Sequence, residues 1–138
     1  MPISYSIDEH RLLVTTILTG RINFQEWTEF HGRLTADPRF QPEFDQLIDA
    51  TAVRWLNFSR EQFTALAKDW IFSIASRHAA VATDPAVFGL LRVFEAHFSF
   101  VQSGACFGVF HHLEPALSWL GHQQQAQPLS GLYKTSGG

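Results

Sequence analysis

Seven histidines, thirteen acidic residues, a single cysteine and scattered serines are the side chains here that could do chemistry, and their spacing limits what each can be. A carboxylate pair for proton transfer needs two acids on one rim, and Asp49 and Asp84 meet that condition because each follows a short apolar segment that reads as a parallel strand. Asp84, however, stands directly before Pro85, the pattern of a helix cap with proline at the first helical position, and Asp49 can hydrogen-bond the loop after it. The structural roles outweigh proton transfer. No serine sits in a GxSxG elbow, and Cys106, between Ala105 and Phe107, is expected to be a buried, inert thiol. Metal binding lacks an HExxH motif, and the adjacent His111 and His112 would point to opposite sides of a strand end. His31 and His97 fall on otherwise apolar helix faces, which suits core or interface histidines. Neither GxGxxG nor GxxxxGK with Ser or Thr is present, so neither a nucleotide nor a metal cofactor is expected.

The elements that must position these groups follow from periodicity. Residues 2 to 7 alternate apolar and polar, Asp8, Glu9 and His10 supply turn chemistry, and residues 11 to 19 are rich in β-branched side chains, which predicts a hairpin ended by Gly20. Asn23 with Glu26 forms a capping-box pattern for a helix with Trp27, Phe30 and Leu34 on one face. Two prolines make residues 37 to 44 an irregular connection, with Phe40 and Phe44 as anchors. Residues 46 to 50 read as a buried strand, and a long helix is expected from Ser59 to near Arg77, with Phe63, Leu66, Ala67, Trp70 and Ile74 as its stripe. A strand at 79 to 82 leads through Asp84 and Pro85 into a third, very apolar helix, whose stripe is Val87, Leu91, Phe94, Phe98 and Val101. A strand near 105 to 110 and a helix over 113 to 120, ended by Gly121, complete the order ββαβαβαβα. That order predicts an α/β fold with a mostly parallel sheet and an antiparallel edge strand.

The opening MPISYSIDEHRLLVTTILTG, the connection ADPRF and the segment LIDATAV before a helix resemble small bacterial SpoIIAA-like proteins of the STAS/SEC14 superfamily, over residues 1 to 121. The resemblance implies a SpoIIAA-like βα superhelix. Its best-known branch consists of anti-sigma-factor antagonists switched by phosphorylation of a serine at the start of the second helix, a position that corresponds to Ser59. That branch carries Asp-Ser-Ser-Gly where this chain has Asn57, Phe58, Ser59 and Arg60, so the serine alone is retained. Arg60 could pair with a phosphate. Ser59 with Gln62 also completes a capping box, which is the plainer role. Another branch of the superfamily binds lipids in an apolar cavity beside the sheet.

Composition narrows the function classes. A net charge of −3 with scattered Lys and Arg gives no basic stripe, which argues against nucleic acid as a partner. No stretch approaches the ~20 apolar residues of a membrane span. The absence of a signal-peptide pattern and the lone cysteine suit a cytoplasmic location. Thirteen Phe and four Trp exceed what one core stripe needs. Leu90, Val93 and Phe100, with neighbouring Phe72 or Phe88, are therefore expected to form a second apolar stripe covered by another subunit. The leading expectation is a non-enzymatic regulatory or scaffolding domain that works through protein contacts as a homodimer, over residues 1 to 121, with residues 122 to 138 as a flexible tail. The alternative is a small apolar ligand or lipid bound beside the sheet. An enzymatic site, were there one, would lie on the rim around Asp49, Asn57, Ser59 and Asp84.

Overall fold

A computed structural model describes residues 2–121, and the segment expected as a tail lies outside the described residues. Strand β1 (Ile3–Asp8) turns back on β2 (Leu13–Asn23), and the two pair antiparallel from Ile3 with Leu18 to Asp8 with Leu13. Helix α1 (Phe24–Ala36) then crosses to β3 (Asp45–Asn57), α2 (Arg60–Lys68) to β4 (Arg77–Val81), and α3 (Pro85–Val101) to β5 (Cys106–Phe110), with α4 (Leu113–Leu120) last. Among the described residues five strands lie in chain order, and every pair after the first is parallel. This is the expected ββαβαβαβα fold with its antiparallel edge strand.

Strand alternation divides the apolar residues between two faces. Val14, Leu18, Ile22, Ile48 and Ala80 point toward α1, α2 and α3 and build the main core with Phe30, Phe63 and Phe98. Leu13, Leu47, Ala79 and Val81 face the other way, onto Ala116, Leu117 and Leu120 of α4. Three helices on one face and a single short one on the other leave Ile17 of β2 partly exposed.

The strands differ in extent from the sequence expectation. Strand β2 does not end at Gly20 but runs through it to Asn23, because Gly20 adopts φ +72 and absorbs a register shift against β3. Strand β3 extends to Asn57 for the same reason: beyond Asp49 it loses β4 but keeps β2 as its partner. Helix α2 is shorter than its apolar stripe suggested. It ends at Lys68, and Trp70 lies in the following connection, where its indole reaches β4 rather than continuing a helical face. Ser73 N–H and Ser76 Oγ both donate to the Pro42 carbonyl and fold that connection back, leaving Ile74 exposed.

The ADPRF connection is held by charge. Arg39 grips the Asp37 carboxylate with Nε at 3.1 Å and Nη2 at 2.9 Å, and Tyr5 Oη donates to the same carboxylate from β1. These donors hold the Asp37 carboxyl well below its usual range.

Candidate functional site

The rim residues separate into two places. Asn57 and Ser59 line a shallow groove with Asn23, Phe24, Gln25, Phe58 and Gln62, where the N-termini of α1 and α2 stand side by side. Both ends are closed by their own side chains. Asn23 Oδ1 accepts from Glu26 N–H while Glu26 returns a bond to Asn23 N–H, and Ser59 and Gln62 repeat the exchange on α2. Asp49 and Asp84 line no part of this groove. Asp49 lies in the middle of β3 and accepts from Thr51 N–H and Thr51 Oγ1, while Asp84 accepts from Ala86 N–H and Val87 N–H as the cap of α3.

The aromatic surplus goes mostly inside. Phe72, expected on the outer stripe, is buried against Phe40, Trp70 and His78 because its connection folds back onto Pro42 and the start of β4. Leu90 is half-buried against the core, and Phe88 stacks on His111 with centroids 3.9 Å apart. Val93 and Phe100 do face outward, with Phe100 89% exposed. Cys106 is exposed rather than buried: it opens the edge strand β5, and Phe107, one residue on, takes the inward position.

Between the sheet and the helices lies a feature without sequence signature, an apolar cavity of about 30 Å³. Leu18, Ile48, Leu56 and Phe107 form its floor on the sheet. Trp27 closes it from α1, Phe63 and Leu66 from α2, Leu91 and Phe94 from α3, and Phe58 and Trp70 from the connections flanking α2. Among the described residues no polar side chain lines it, so a water inside would lack the two to four partners it requires. Two of its neighbours, α2 and α3, pack closely. The seam between α1 and α2 forms an open groove with His31, Thr35, Leu66 and Asp69 on its walls.

The two cavity tryptophans are each held by a buried histidine. Trp27 Nε1 donates to His31 Nε2 one turn along α1, and Trp70 Nε1 donates to His78 Nε2 on β4, both at 3.0 Å. Because His78 Nε2 accepts, its Nδ1 carries the proton and donates to Gln46 Oε1, and Gln46 Nε2 donates to Thr16 Oγ1. A polar chain thus crosses the sheet from β4 to β2 entirely within the core. Burial pushes His31 down to about 4, and burial together with the nearby His31 pushes His78 down to about 3. Both are neutral acceptors at physiological pH. The partners of Trp27 lie at helical spacing in the sequence, but those of Trp70 do not.

Fold and site define an α/β domain of SpoIIAA-like architecture, with three helices over one sheet face and an apolar cavity between them and the sheet. A similar solved structure is an uncharacterized protein of the DUF3478 family from Shewanella loihica PV-4, with a SpoIIAA-like fold. The likeness has a TM-score of 0.52 at 19% identity and covers 86% of this chain and 91% of that one. No family model and no curated protein matches the sequence. Among the described residues, no helix is long and apolar enough to cross a membrane.

Proposed function

We propose that the chain is a binding domain for a small apolar molecule, taken up between the sheet and α1/α2. The observation that carries this is the cavity: its lining is wholly apolar and is drawn from the sheet and from α1, α2 and α3 together. Filling it removes apolar surface from water and restores contacts that a void forfeits. The polar groups of the rim have local structural roles, since Asp49 and Asp84 each engage one carboxylate oxygen, and Ser59 its hydroxyl, with backbone donors nearby. The test is thermal unfolding in buffer saturated with benzene, cyclohexane or hexane. At least one should raise the melting temperature, and Leu66→Phe, which fills the void, should abolish the rise. No rise with any of them would overturn the proposal.

A second reading, self-association through protein contacts, rests on Phe100. A phenylalanine 89% exposed beside Val93 on the outer face of α3 gains by being covered, and a second copy of the same helix is the simplest cover.

A further inference from the structure

We infer that the outer edge of β5, with the flank of α3 beside it, is a contact surface for a second copy of this chain, the two β5 strands pairing antiparallel about Gly108. The contact needs no ligand in the cavity and uses a different flank of α3 from Phe100. Ala82 N–H donates to the Phe110 carbonyl, so Phe110, Gly108 and Cys106 direct their backbone groups toward β4. Alternation sends the N–H and C=O groups of Phe107 and Val109 outward, and among the described residues no strand lies beyond β5. Natural sheets blunt such edges with charge, proline or a covering group. The opposite edge does so: Arg33 reaches from α1 to the Ile3 carbonyl, and β1 ends on Asp8. Strand β5 reads Cys-Phe-Gly-Val-Phe, with neither charge nor proline.

Antiparallel pairing about Gly108 sets Phe107 of each copy opposite Val109 of the other, and these residues exchange both N–H···O bonds, so every outward group finds a partner. Gly108 meets its own counterpart at the axis, where Cα atoms approach to about 4.5 Å. Its missing side chain leaves that place to the Phe110 ring, which lies 2.9 Å from where a Cβ would stand.

The charges on α3 match the same symmetry. Phe88, Arg92 and Glu95 recur at helical spacing, and Phe88 stacks on His111 just past β5, so the three share the flank of α3 beside the strand. With Phe94 against Phe107 at 5.3 Å between centroids and Phe88 against His111, α3 runs opposite to β5 and holds Gly108 level with the turn that contains Arg92 and Glu95. The two-fold axis therefore turns Arg92 of one copy toward Glu95 of the other. Within the chain Arg92 Nε stands 3.1 Å from Glu95 Oε1, and the guanidinium, 61% exposed, keeps further N–H donors for a second carboxylate.

Amide exchange on the whole chain, followed by NMR from micromolar to millimolar concentration, reads the backbone pairing directly. Exchange at Phe107 and Val109 should slow as concentration rises, while Gly108, bonded to β4 in every copy, keeps its rate. Sedimentation equilibrium should report a dimer. Arg92→Glu, which sets like charges against each other across the axis, should raise its dissociation constant about tenfold or more, and Arg92→Glu combined with Glu95→Arg should restore it. Should a variant fail to fold, the two amides of the native chain decide by themselves. Phe100→Asp should leave both amides protected. A chain still monomeric at millimolar concentration would overturn the inference, and so would a dimer in which Phe107 and Val109 exchange as fast as in dilute solution. A dimer lost with Phe100→Asp and indifferent to Arg92→Glu would also overturn it and place the contact on the outer face of α3.

Discussion

At the scale of single residues, Ser59 and the two buried histidines make separable claims. Ser59 Oγ accepts from Gln62 N–H, so Ser59→Ala should cost about 1 kcal/mol and lower the urea midpoint without altering the slope. We expect intact-mass analysis of protein from its own host to show no phosphate at Ser59, because the hydroxyl is engaged in the cap; a substantial phosphorylated fraction would favour a switch instead. His31 and His78 titrate far below the ordinary histidine value of 6.5 when folded. Below pH 6.5 the unfolded chain then binds protons that the folded chain refuses, so stability falls as pH drops and is flat with respect to these groups above it. For His31 alone the loss by pH 4 is roughly 3 kcal/mol, and His78 adds to it. Denaturation followed from pH 8 to pH 4 should show the decline beginning near 6.5, and His31→Gln should make it shallower.

At the scale of elements, β2 and α3 depart furthest from simple periodicity. Strand β2 passes through a left-handed residue at Gly20 with open space where a Cβ would lie, so Gly20→Ala meets no clash yet should cost about 1–2 kcal/mol through its backbone alone. Calorimetry on that variant measures the cost. Helix α3 carries its inward stripe, Val87, Leu91, Phe94 and Phe98, as its periodicity predicts, while the outer stripe is broken: Leu90 turns in and Val93 and Phe100 remain outside. If those two residues form a contact between copies, light scattering should report a dimer at micromolar concentration, and Phe100→Asp should yield a monomer whose melting temperature no longer depends on protein concentration. A monomeric native chain would remove the second reading.

At the scale of the whole molecule, the uneven packing of the helices matters most. Helix α3 packs on α2 and on β3 and β5, while α1 rests chiefly on β1 and β2. Local opening follows contact density, so amide hydrogens of α1 should exchange sooner than those of α3 or of the central strands. Exchange of α1 as slow as that of β2 and β3 would contradict this order.

Much of the architecture was legible in local signals. The capping pairs Asn23 with Glu26 and Ser59 with Gln62, the Asp84–Pro85 start of α3 and the left-handed Gly121 after α4 all mark element ends through contacts a few residues apart. The order of strands and helices therefore determined the sheet. What local spacing could not decide depends on partners distant in the chain. Trp70 leaves the helical stripe because His78 on β4 offers its indole an acceptor, and the buried polar chain exists only once Thr16, Gln46 and His78 are brought side by side by β2, β3 and β4. Phe72 is buried and Cys106 exposed because a folded-back connection and an edge strand set their surroundings, not their neighbours in sequence. The cavity belongs to the same class: its walls come from the sheet, three helices and two connections, and a space between them becomes visible only when all are placed.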